Sequence, residues 1–251
     1  MIKFFRRIRQ QKLSEKKFSK YLIYAIGEII LVVFGILIAL QINTWNENRI
    51  NDKQEIIILK ALKTEISENQ ELLSSYVRQH SEVLKLLKEL NAHISPQPDE
   101  ITDIKLDSLI YGLGWLPYYT PKVGVINSTI NSGQISLIKN NQLSSKLASW
   151  SSFLNAYNSV YKWTERDVFE QILPYIQEKY PFKNTLQNFG FDNNAMSKFN
   201  YSKDDLLSDL GFESLVSNRA INAQDILDVV RELYSFQDEI LQLIDNELKD
   251  R

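Results

Sequence analysis

The chain has 251 residues, 44% apolar and 24% charged, with eight Gly, six Pro, two His and no Cys. This apolar share excludes wholesale disorder, a mean hydropathy of -0.25 excludes a multi-spanning membrane protein, and the lack of Cys excludes disulfides, thiol nucleophiles and Cys-ligated metals. The net charge of -2 conceals three zones of +7, -1 and -8: residues 1–20 carry eight Lys or Arg against Glu15, residues 21–45 only Glu28, and residues 46–251 the remaining 21 basic and 29 acidic residues.

In the basic tail, Ile2, Phe5 and Ile8 alternate with Arg6, Arg7 and Arg9. A short amphipathic helix lying on anionic membrane lipid fits this pattern. Nucleic-acid binding is the competing reading, but membrane topology alone accounts for the charge, so no nucleic-acid partner is expected. Residues 21–42 then read YLIYAIGEIILVVFGILIALQI. A helix of this length rises ~33 Å, enough to cross a ~30 Å hydrocarbon layer. Tyr21 and Tyr24 at one end and Trp45 beyond the other are placed as headgroup-level anchors. The run is too long for the core of a cleaved signal peptide, and no small-residue cleavage pattern ends it. It reads as an uncleaved signal anchor in the inner (plasma) membrane. The basic tail is then cytoplasmic and residues 43–251 form an extracytoplasmic domain.

Glu28 is the single acid inside the span. Ala25, Glu28, Val32, Gly35, Ala39 and Ile42 follow a three/four spacing and share a helix face. Small residues around one polar group suit a helix–helix contact in lipid, to a second copy or to another envelope protein. The plainer alternative is an acid tolerated by snorkelling or protonation.

Neither Gly nor Pro occurs in residues 36–95, 134–173 or 212–251, which predicts three long helices rather than strands. Leu59, Leu62, Ile66, Leu73, Tyr76, Val83, Leu87, Leu90 and Ile94 form a stripe on the first, interrupted by Asn69 and His80. Leu143, Leu147, Trp150, Leu154, Tyr157 and Tyr161 form one on the second, with Val168 resuming it. Ile226, Val229, Leu233, Phe236, Ile240 and Leu243 form one on the third. Flanking apolar residues widen the stripes, favouring an intramolecular bundle over a two-helix coiled coil. Between the long helices, a short helix is expected near Leu106–Leu113 and another from a Thr120-Pro121 cap to Gly133. Asn140 and Ser202 are candidate caps, and Pro181 to Asn200 is an expected loop. The expected path has the first helix leaving the membrane, the second returning and the third rising again, with residues 95–133 near the far end.

No phosphate-binding, zinc-protease or nucleophile-elbow motif occurs. His80 and His93, thirteen residues apart on one helix, stand ~20 Å apart along its axis and cannot share a metal. Among the plentiful carboxylates no pair stands out, so no catalytic residue, metal or cofactor is expected. Residues 111–138 gather Tyr111, Trp115, Tyr118 and Tyr119 among helix breakers. They are a candidate partner surface, although a corner burying its aromatics over the bundle end is the favoured reading.

The opening pattern, with Lys20-Tyr21, Ala25-Ile26-Gly27-Glu28, Ile38-Ala39-Leu40-Gln41-Ile42-Asn43 and Trp45-Asn46-Glu47, resembles a family of single-pass membrane proteins from Bacteroidota known as a domain of unknown function. The stretch Asn131-Ser132-Gly133-Gln134-Ile135-Ser136-Leu137-Ile138-Lys139-Asn140 is similar to that family's middle region. The resemblance implies a membrane anchor and a helical outer domain and transfers no catalytic residue. The fold expected is all-α: an N-terminal transmembrane helix, then an elongated extracytoplasmic helical bundle. The function expected is a membrane-anchored interaction or scaffold module. A ligand-sensing receptor acting through a membrane partner, or an envelope hydrolase using two carboxylates, are the rivals.

Overall fold

The Gly- and Pro-free first stretch becomes part of helix α1, Lys17–Ala92. The computed structural model describes residues 17–191 and 196–249, with side chains from Leu22 onward. The basic tail at 1–16 and the Tyr21 side chain lie outside the described residues. The chain divides into two compact units, Met1–Ile56 and Ile57–Arg251.

In the first unit, α1 carries an apolar window of mean hydropathy 2.6, none of it buried. Its large apolar side chains from Leu22 to Ile42 are all exposed. By length and composition this helix could cross a membrane.

The second unit is all-helical among its described residues. After α1 ends, α2 (Asp103–Gly114) begins with the Thr102 side chain accepting from the Lys105 N–H. Helix α3 (Gly124–Asn131) ends before Gly133, whose φ of 76° suits a residue without Cβ. A 3-10 turn follows at Gln134–Leu137. Helix α4 (Asn141–Asp167) starts where the Asn140 side chain accepts from Leu143 N–H. It continues through one π turn, Val168–Ile172, into α5 (Leu173–Lys179). Pro174 has no N–H to donate, and just before it the ladder shifts so that Leu173 N–H reaches the Val168 carbonyl five residues back. A 3-10 helix at Phe182–Phe189, α6 (Lys203–Leu207, capped by Ser202) and α7 (Leu210–Lys249) complete the unit.

Side-chain pairs give the helix directions. Lys63 bridges Asp245, Gln70 meets Asp238 and Ser217 meets Asn91, so α1 and α7 are antiparallel. Asn140 donates to Glu247, Lys146 pairs with Glu239 and Asn222 with Asp167, so α4 and α7 are antiparallel too. Helices α1 and α4 therefore run parallel, which corrects the expected up-down-up path. The return is made by the connection between them. Residues 101–113 pack at the Ala92 end of the unit, but Gly124, Val125 and Gln134 lie beside Ile57, Ile58 and Ala61. Residues 95–133 thus do not gather at one end of the unit, as expected, but run from one end to the other.

The three stripes converge in two apolar cores. At the Ile57 end, Leu59, Leu62, Ile66 and Leu73 meet Leu143, Trp150 and Tyr157 and Ile226, Leu233 and Ile240. At the Ala92 end, Val83, Leu87 and Leu90 meet Leu109, Leu113, Ile172, Phe212 and Val216. Each fully buried side chain of this kind contributes ~1.5–3 kcal/mol. Gly112 allows α2 to lie close on α1, because a Cβ there would come within 2.9 Å of Leu86 Cβ. Val229 and Leu243 lie at the rim of the core rather than inside it.

Candidate functional site

The polar residues that interrupt the α1 stripe hold the chain between α2 and α3 against it. Asn69 pairs with Lys122 in both directions: its Nδ2 donates to the Lys122 carbonyl at 2.7 Å, and Lys122 N–H donates to its Oδ1 at 2.8 Å. One turn earlier, Glu65 accepts from Val125 N–H at 2.7 Å and from Ile126 N–H at 2.9 Å. A carboxylate from another helix thus satisfies the first N–H groups of α3 and meets the positive end of its dipole. The N-cap residue Val123 offers no side-chain bond, and the expected Thr120 cap is not used. Three turns along α1, buried His80 bonds to the Pro117 backbone, which has only a carbonyl to offer. Residues 117–126 therefore form a strap pinned along α1.

Where the strap leaves α2, Arg219 of α7 closes the layer between the two cores. It is buried, and its Nε and Nη2 donate to the Leu113 and Trp115 carbonyls at 3.2 and 3.0 Å. A guanidinium at the carbonyl end of α2 is favoured by the helix dipole. Asp167 sits in the same layer, accepting from Asn218 at 3.2 Å and Asn222 at 3.0 Å. Burial lowers Arg219 to about 10, so it remains a cation at neutral pH, with Asp167 opposing the shift. Burial, reinforced by Arg219, lowers His80 to about 4, so its imidazole is neutral at physiological pH.

The four aromatic candidates are divided by this arrangement. Tyr119 is buried, its OH accepting from Gln237 at 3.1 Å while its N–H donates to Tyr157 Oη at 2.7 Å. Burial pushes the Tyr119 phenol up to about 12. Tyr118 is half exposed and packs on Tyr161 at 4.6 Å. Tyr111 and Trp115 are half-buried around one another at 5.5 Å, with Phe189 edge-on to Tyr111 at 4.8 Å. The segment lies along the helices rather than over the bundle end.

In the first unit, Glu28, Gly35 and Ala39 are exposed and Ala25 half-exposed. Ala25, Glu28, Ile29, Val32 and Val33 line a shallow groove, and a Cβ built at Gly35 would meet nothing within 4 Å. Tyr24 and Trp45 are exposed, with the Arg49 guanidinium 5.6 Å from the Trp45 ring.

Arg219 and Asp167 escaped the sequence reading. A signal was available: Phe212, Val216, Arg219, Ala223 and Ile226 keep the three/four spacing, so Arg219 stands at an inward position. Among the described residues no group of three His, Asp or Glu could hold a metal. Of the buried acids, Glu65 is taken up by α3, Asp107 is engaged by Tyr180 and Gln187, and Asp167 by Asn218 and Asn222. In this layer Arg219 holds backbone, and Asp167 ties α4 to α7 through two asparagine side chains.

The geometry defines an all-helical protein in which one exposed apolar helix accompanies a bundle with two cores and a pinned strap. The chain belongs to the Family of unknown function (DUF6090), which matches residues 28–162. That region contains Glu65, Asn69, His80, the strap and α4 as far as Lys162, and stops short of α7 with Arg219. No curated protein and no solved structure matches the chain.

Proposed function

We propose that the protein is a membrane-anchored helical interaction module. Residues 21–42 cross the inner membrane as a signal anchor, the basic tail stays cytoplasmic, and residues 43–251 are presented outside. Within the bilayer, the face bearing Ala25, Glu28, Gly35 and Ala39 meets a second copy or another envelope protein. The supporting observation is the exposure of every large apolar side chain from Leu22 to Ile42. Leaving such a surface in water forfeits ~25 cal/mol per Å², and lipid removes that cost. Glu28 on the small-residue face favours a contact there, because an acid in hydrocarbon is costly unless paired or protonated. Chemical crosslinking of the full chain in native membranes tests the contact. A crosslinked species lost in Glu28→Leu supports it; the same species in both proteins, or none in either, contradicts it.

A further inference from the structure

Just beyond the apolar span, α1 has two different polar faces. Residues 43–49 carry two charges, Glu47 and Arg49. Positions 45 and 49 are four residues apart and share a face, whereas 47 stands ~160° around the helix from 45. On its own face, Glu47 accepts from Asn43 Nδ2 at 2.8 Å. Arg49 Nη2 donates to Asn46 Oδ1 at 3.2 Å, and the guanidinium lies 5.6 Å from the Trp45 ring. Both of these partners are three or four residues N-terminal, so the Arg49 side chain is turned back along the helix toward the span. Asp52, the next acid, lies a turn farther out, on the side from which the guanidinium turns away. The cation thus rests against an indole that is itself 65% exposed.

Helix rise sets the depth of this group. Leu22 and Ile42 bound the run of exposed apolar side chains. They stand ~30 Å apart along the axis, the thickness of a hydrocarbon layer. Trp45 then lies ~5 Å and the Arg49 backbone ~10 Å beyond the edge of that layer, and the headgroup layer is about 5–7 Å deep. Extended away from the span, the guanidinium would leave the headgroups; turned back over Trp45, it enters them. A planar cation held at that depth beside an interfacial indole matches the phosphate of a phospholipid. We propose that Arg49 contacts a phospholipid phosphate in the outer headgroup layer, with Trp45 as the positioning residue that holds the guanidinium there. The contact rests on the reading of residues 21–42 as membrane-crossing.

Solid-state magnetic resonance of nitrogen–phosphorus distances tests this directly. The full chain, with isotope-labelled arginine nitrogens, is reconstituted in phosphatidylcholine bilayers, pelleted and measured frozen by dipolar dephasing. Arg6→Lys, Arg7→Lys and Arg9→Lys keep the charge of the basic tail and silence its arginines. The Arg49 signal is then the difference from the same chain carrying Arg49→Lys. The expected difference is a guanidinium signal dephased by phosphorus at ~4 Å, one charge-assisted hydrogen bond and a P–O bond away. Trp45→Ala, in a chain with unchanged circular dichroism, should weaken that dephasing by about half or more. A difference signal that phosphorus leaves undephased, in a chain that pellets with the bilayer, overturns the phosphate contact and leaves the anchor standing. Dephasing unchanged in Trp45→Ala overturns the positioning role of Trp45. A chain that stays in the supernatant refutes the anchor, and the contact with it.

Discussion

Asn69 and Lys122 exchange two hydrogen bonds across 53 residues of sequence, the side-chain amide of one completing both backbone groups of the other. A buried Asn on an otherwise apolar face is costly unless both ends of its amide are paired, and here they are. Asn69→Leu removes both partners while leaving the Lys122 N–H and carbonyl half-buried. It is expected to destabilise the bundle by ~2–3 kcal/mol in urea unfolding followed by circular dichroism.

Glu65 performs the capping role for α3 from a distance. Glu65→Leu leaves the Val125 and Ile126 N–H groups without an acceptor and removes the charge facing the helix dipole. Amide exchange at these two residues should accelerate by at least about tenfold, equivalent to ~1.5 kcal/mol or more, with little change along α4.

His80 makes stability depend on pH with a definite sign. Its folded pKa, lowered to about 4 by burial, lies below the ordinary imidazole value of 6.5. The unfolded chain therefore binds a proton that the folded chain refuses between those limits. Its contribution is fully present above pH 6.5 and is lost as pH falls toward 4, by ~3 kcal/mol in total. Denaturation at a series of pH values should show this slope. His80→Leu should flatten it, whatever its effect at neutral pH.

Arg219 holds two carbonyls with a planar fork that Lys cannot reproduce. Arg219→Ala is expected to cost ~3–5 kcal/mol, and Arg219→Lys should recover less than half of that. Thermal or urea unfolding of the two variants checks the order.

Local signals in the sequence were enough for the long helices. The breaks at Pro96 and Pro98 agree with the end of α1 at Ala92, and the Asn140 and Ser202 caps form as their chemistry suggests. The expected helix near Leu106–Leu113 is α2, and the expected loop after Pro181 contains a 3-10 helix. Helix direction was not legible, because an apolar stripe records which face is inward and not which way the chain runs. The cap on α3 was also hidden: Thr120-Pro121 is a local signal, and Glu65 overrides it from 60 residues away. Asn69 and His80 were visible as interruptions of the stripe, yet their partners are backbone groups, which carry no side-chain signature. Arg219 was legible in principle as a lone cation at an inward position.

Membrane topology is the central claim, and labelling of single cysteines in the full chain tests it most directly. Gln10→Cys and Ser151→Cys are each exposed to a membrane-impermeant maleimide in intact cells or spheroplasts, and the membranes are then washed with alkaline carbonate. The account predicts labelling at residue 151 without lysis, labelling at residue 10 only after lysis, and retention of the protein in the washed membrane. Release by carbonate, or residue 151 protected until lysis, would contradict it.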